Sequence, residues 1–137
     1  MLFGALVVLL VVMFIMMMSS GRLYSDDYIR NKTDAFLEAI TTGDSDRAMR
    51  LFCHDGYVID GESKSIEAPI FVSDMIKTSG IKIEDRSYNF QRITDKVWVN
   101  STTINFTWDG MTTPKRVPMT FIFRNGCISQ IHTSMHN

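Results

Sequence analysis

Two side chains in this chain have the chemistry to move a proton near neutral pH. Asp60 closes a short apolar stretch, Tyr57-Val58-Ile59, and His132 lies in the last apolar stretch of the chain. Each also has an ordinary structural reading. An Asp before a Gly, here Gly61, is a turn residue that bonds its own backbone, and a lone strand histidine is usually held by its neighbours. The other two histidines add little: His54 falls at a helix end and His136 is the penultimate residue. The three are neither clustered nor spaced i,i+4, so no metal site is expected, and no cofactor fingerprint of the G-x-G-x-x-G, P-loop or G-x-S-x-G kind occurs. Cys53 and Cys127 form no C-x-x-C; they either pair in an oxidising compartment or stay as two separate buried thiols. Three N-x-[ST] sequons make Asn31, Asn100 and Asn105 candidate glycosylation sites.

These residues need elements to hold them. Ser25 reads as a helix N-cap followed by Asp26 and Asp27, with Ile29, Thr33, Phe36, Leu37 and Ile40 at helical spacing and Gly43 as the stop. Asp44 caps a second short helix with an inner face of Ala48, Leu51 and Phe52. Tyr57 to Ile59 is a short strand, and a third helix begins between Ser65 and Pro69 and ends at Gly80. From Ile81 the period falls to two, predicting strands over Ile81–Ile93, Val97–Trp108, Lys115–Arg124 and Cys127–His136. Asn125-Gly126 between two of them is a strong hairpin signal.

Apolar parity changes inside two of these strands. Ile83 is odd but Tyr88 and Phe90 are even; Val97 and Val99 are odd but Ile104 and Phe106 are even. One extra residue reverses every later side chain, so bulges are expected near Asp85 to Ser87 and Asn100 to Thr103. On that register Asn100 and Asn105 both point outward.

Residues 1–18 are uninterrupted apolar residues, long enough as a helix for a hydrocarbon core, so 1–21 is expected to be a transmembrane segment or a signal peptide and 22–137 one domain. Absence of a preceding Lys or Arg and the length of the run favour an uncut anchor. Arg22, Arg30 and Lys32 after the run would keep the domain cytoplasmic, whereas the three sequons place it outside the cytoplasm; the second side is the expectation. The 14 basic and 15 acidic residues nearly cancel and do not cluster, which removes the footprint of a nucleic-acid binder.

The order helix, helix, short strand, helix, four long strands resembles the NTF2-like superfamily, the cystatin-like α+β cone. Its carriers are Phe36 to Asp44 (FLEAITTGD), Leu51 to Asp55 (LFCHD), Tyr57 to Gly61 (YVIDG), Phe121 to Gly126 (FIFRNG) and Ile131 to Ser134 (IHTS). The resemblance implies an α+β fold, three helices packed on a strongly curved antiparallel sheet. It fixes fold more than activity, since the superfamily hosts isomerases, cyclases, binding modules and assembly domains.

Compared with the ketosteroid isomerases of that superfamily, Asp60 falls at the general base. The Tyr and acidic hydrogen-bond donors of the oxyanion hole fall at Phe36 and about Met119, neither of which can donate. Each missing donor removes about 3 to 4 kcal/mol of transition-state stabilisation. The resulting expectation is a non-catalytic module, membrane-tethered or secreted, binding a small apolar ligand or a protein partner. Phe36, Asp60, Met119 and His132 are the candidate pocket lining. Two alternatives stay open: an isomerase or cyclase using Asp60 or His132, and a membrane-proximal assembly domain; the partner expectations are the membrane through residues 1–18 and, separately, a homodimer through the sheet.

Overall fold

In a computed structural model, the structure describes residues 2–20, 24–61, 64–78 and 80–134. Four helices and six strands follow in the order α1 (Leu2–Ser20), α2 (Asp26–Thr42), α3 (Ser45–Arg50), β1 (Phe52–Asp60), β2 (Lys64–Glu67), α4 (Ala68–Lys77), β3 (Lys82–Arg92), β4 (Val97–Thr107), β5 (Lys115–Arg124) and β6 (Cys127–Thr133).

The helix boundaries are set by local chemistry. Ser25 accepts from the Tyr28 amide at 3.2 Å, and Asp26 and Asp27 occupy the first turn of α2. Gly43 ends it in the left-handed region, φ 76°, while the Asp44 amide reaches back to the Ala39 carbonyl at 2.8 Å. Asp44 then caps α3 by accepting from the Arg47 amide. Phe52, expected on the inner face of that helix, instead begins β1: its backbone pairs with Ile128 and its ring is buried.

All strands form one sheet in the order β2-β1-β6-β5-β4-β3. The last four make sequential hairpins as expected, with Asn125 (φ 52°) and Gly126 (φ 84°) in the paired left-handed conformations that match strand twist. Two features differ from expectation. The β1–β6 pair is parallel, so the sheet is mixed, and β2, four residues with charged ends, adds an edge strand that no apolar alternation announces.

The bulges also differ. The β3–β4 register slips once, between Ile83 and Asp85, one residue before the expected position. The β4–β5 register is continuous from Val97 to Phe106, and Trp98, Asn100, Thr102, Ile104 and Phe106 are all buried. There is no bulge at Asn100 to Thr103. The apparent parity switch arose because Val97 and Val99 lie on the other face of the sheet, which is partly apolar itself.

The helices α2, α3 and α4 cover one face. Against it Phe36 sits edge-on to Phe52 and Phe121, ring centroids 5.6 and 5.7 Å apart, and Met119, Ile104, Phe106, Val58 and Ile131 complete the core. The other face has no helix on it among the described residues. It presents a band of Tyr57, Gln130, Ile122 and Val99 beside Ile59, His132, Thr120 and Ser101.

On α1 the side chains described are those of residues 4–13, and Leu6 to Met13 are each 45–63 % exposed. Among the described residues no helix is long and apolar enough to cross a membrane.

Candidate functional site

Among the described clefts none brings the four expected lining residues together. Phe36 and Met119 are wholly buried members of the core, and none of the three described clefts is lined by Phe36, Asp60, Met119 or His132. Asp60 is inward-facing and 5 % exposed at the end of β1, next to Gly61, whose amide donates to the Thr133 carbonyl at 2.9 Å. His132 pairs with Ile59, one residue away in the parallel register, and therefore projects from the opposite, uncovered face. Its Nε2 lies 2.9 Å from Gln130 Oε1. A base at Asp60 and an acid at His132 are separated by the thickness of the sheet.

The sequons divide in the same way. Asn100 faces inward, fully buried, and its Nδ2 donates to Thr33 Oγ1 at 3.0 Å. Asn105 is on the outer side of β4 and Asn31 is exposed on α2. The expectation that Asn100 and Asn105 share an outer surface is corrected: the atom that would carry a glycan at Asn100 is a hydrogen-bond donor inside the core. Trp98 Nε1 and Asn100 Oδ1, two residues apart on that strand, are buried without hydrogen-bond partners among the described residues.

Cys53 and Cys127 form a disulfide, Cα atoms 5.0 Å apart. The register break between Phe52 and Tyr57 loops residues 53–56 out of the β1–β6 ladder, and the disulfide ties that loop to the first residue of β6. Spacing in sequence carried no such information, because the partners are 74 residues apart.

The structure assembles one polar cluster that the sequence reading missed. Asp34, Glu38 and Thr41 of α2 face Lys82, Ile83 and Arg86 of β3 across an open groove of about 450 Å³. The i,i+4 carboxylates on α2 were the available signal. Tyr88 donates its phenolic proton to Asp34, and Arg86 approaches the same carboxylate at 3.4 Å, while Arg47 pairs with Glu38 at 3.5 Å. Burial, then the bond to Asp34, push the Tyr88 phenol well above its ordinary range, so it is a poor base or nucleophile. Both carboxylates are matched by guanidinium groups. These contacts tie α2 to the edge strand, together with the Arg30 guanidinium 5.1 Å from the Phe90 ring centroid.

No family profile and no curated protein matches this chain. Solved structures do. A domain of unknown function with a cystatin-like fold from Nostoc punctiforme superposes with TM-score 0.67 at 10 % identity, over 82 % of this chain and 77 % of that one. An NTF2-like protein of unknown function from Burkholderia xenovorans gives TM-score 0.56 at 18 % identity, over 79 % and 82 %. A Mycobacterium tuberculosis epoxide hydrolase of the LEH-like type gives 0.56 at 12 % identity, over 76 % and 79 %. Other neighbours are named as isomerases and cyclases, so the likeness carries architecture and no single activity. The mixed six-stranded sheet, the three helices on one face and these superpositions together show that the chain has the α+β cone fold of NTF2-like, cystatin-like structures.

Proposed function

We propose that this protein is a non-catalytic assembly module, held at a membrane by α1 on the non-cytoplasmic side, whose work is pairing two copies through the uncovered face of the sheet. The observation that carries the reading is the close aromatic packing inside the cone. Where a ligand-binding member needs space and donors, Phe36 and Met119 are fully buried, with Phe52 and Phe121 packed edge-on to Phe36. This argues against a small apolar ligand inside the cone and against an isomerase or cyclase built on Asp60. Binding then falls to the surface, where Tyr57, Ile59, Val99 and Ile122 stand among Thr, Ser and Gln side chains, a composition suited to a protein interface.

Attachment is supported by α1. No helix among the described residues meets the length and apolarity of a span, but the apolar run of the sequence continues to Met18, and a 19-residue helix is about 28 Å long, near the hydrocarbon thickness. Leu6 to Met13 are exposed in the structure, and a helix apolar on every side must be covered by lipid or protein. The Cys53–Cys127 disulfide supports a non-cytoplasmic domain, since such bonds persist in oxidising compartments.

The test is a photo-cross-linking residue placed at Thr120, near the centre of the uncovered face, and separately at Glu38 on the helix-covered side. Covalent dimer from position 120 and none from position 38 is expected; dimer from position 38 alone, or from neither, refutes the reading.

A further inference from the structure

We infer that the domain stands on the bilayer by one particular end, with Tyr24, Tyr28, Lys96 and Arg124 against the phospholipid headgroups. The inference rests on membrane attachment through α1 and adds the geometry of the contact.

Ser20 ends α1 and Tyr24 is the next described residue, four Cα steps away, so the two lie within about 15 Å whatever path joins them. Tyr24 is fixed to the domain. Its ring stacks edge-on with Tyr28 at 5.2 Å, and both crowd Gly126, where a Cβ would meet Tyr24 Cε1 at 2.7 Å and Tyr28 Oη at 2.8 Å. Tyr28 donates to the Gly126 carbonyl at 3.3 Å. The neighbouring turn is tied in as well, since the Asn125 amide donates to the Lys96 carbonyl at 2.8 Å. One end of the sheet therefore lies beside the exit of α1. The other end is the length of β4 away, 11 residues or about 35 Å, beyond the reach of that connection.

The chemistry of the near end fits headgroups. Lys96 and Arg124 are exposed, and among the described residues neither pairs with a carboxylate, whereas the adjacent Asp95 is matched by Arg92 at 3.7 Å and Asp27 by Arg30 at 2.8 Å. Two long cations beside a pair of half-buried tyrosines, apolar bodies with polar tips, form the pattern found at membrane–water interfaces.

The four tyrosines allow a direct test. The full chain, labelled with fluorotyrosine, is placed in phosphatidylcholine–phosphatidylglycerol vesicles containing a lipid with a gadolinium-chelating headgroup. Resonances are assigned by single Tyr→Phe substitutions. Tyr24 and Tyr28 are expected to relax at least about threefold faster than Tyr88, which lies level with Thr102, five residues along β4 from its Val97 end, and Tyr57, level with Val99, is expected to fall between them. Lys96→Glu with Arg124→Glu is expected to lower the Tyr24 and Tyr28 enhancement about twofold without releasing the chain from vesicles. Equal or reversed relaxation in chain that floats with the vesicles overturns this inference and leaves attachment standing. Unchanged relaxation in the double variant overturns the role of the two cations. Chain that does not float overturns the attachment reading, and this one with it.

Discussion

Replacing Phe36 by Tyr restores the hydroxyl that an isomerase of this architecture would need, and it separates a filled cone from a hollow one. Phe36 has no solvent exposure, and its ring meets Phe52 at 5.6 Å and Phe121 at 5.7 Å, both edge-on. An added oxygen must push into that cluster, at about 1 to 3 kcal/mol for overpacking. A buried hydroxyl without an acceptor adds about 1 to 3 kcal/mol, since neither phenyl ring supplies one. The sum is a loss of roughly 2 to 5 kcal/mol, comparable to the ~3 to 5 kcal/mol expected for Phe36→Ala. The assay is urea unfolding of the full chain in detergent micelles, followed by the fluorescence of Trp98 and Trp108. A Phe36→Tyr protein within about 0.5 kcal/mol of the parent would mean that the cone holds room and a partner for the hydroxyl, and the packing argument would fail.

Three further outcomes are expected. Reducing the Cys53–Cys127 bond opens a loop of 74 residues and should cost about 2 to 4 kcal/mol, read as a lower urea midpoint with reductant and two newly alkylated thiols. Asn100→Leu removes the donor to Thr33 Oγ1, which keeps only its own bond to the Ile29 carbonyl, and should cost about 1 to 3 kcal/mol, while Asn31→Gln and Asn105→Gln stay within about 0.5 kcal/mol; expressed in a eukaryotic secretory pathway, only Asn31 and Asn105 should acquire glycosidase-sensitive mass. Tyr88 has its folded-state pKa raised by burial and by Asp34, so its contribution is fully present below the ordinary tyrosine pKa of about 10 and is lost as pH rises beyond it. Unfolding midpoints of parent and Tyr88→Phe should therefore converge above that pH, and Asp34→Asn should let the phenol ionise earlier in absorbance titration at alkaline pH.

What the sequence made legible was what is decided locally. Ser25, Gly43 and Asp44 act within one turn of themselves, and Asn125-Gly126 specifies its own hairpin, so α2, α3 and the order of β3 to β6 could be read directly. Elements decided by distant partners could not. β2 exists because Lys64 to Glu67 find Asp60 to Tyr57, and Phe52 is a strand residue because Ile128 lies beside it. The inferred bulge at Asn100 failed because parity assumes one apolar face, and Val97 and Val99 belong to a second. The placement of two candidate residues was hidden for a related reason: Asp60 and His132 are both at strand ends near the same rim, but their registers put them on opposite faces. The Asp34–Tyr88–Arg86 cluster joins residues 54 positions apart, a pairing visible only once α2 is laid across the edge strand.

Sedimentation equilibrium of the full chain in detergent, density-matched so that only protein mass counts, tests the central claim most directly. The account predicts a reversible dimer of the 15.7 kDa chain that becomes a folded monomer when Val99→Lys and Ile122→Lys are combined on the uncovered face. A parent that is monomeric at every concentration, or a dimer that survives both substitutions, would contradict it.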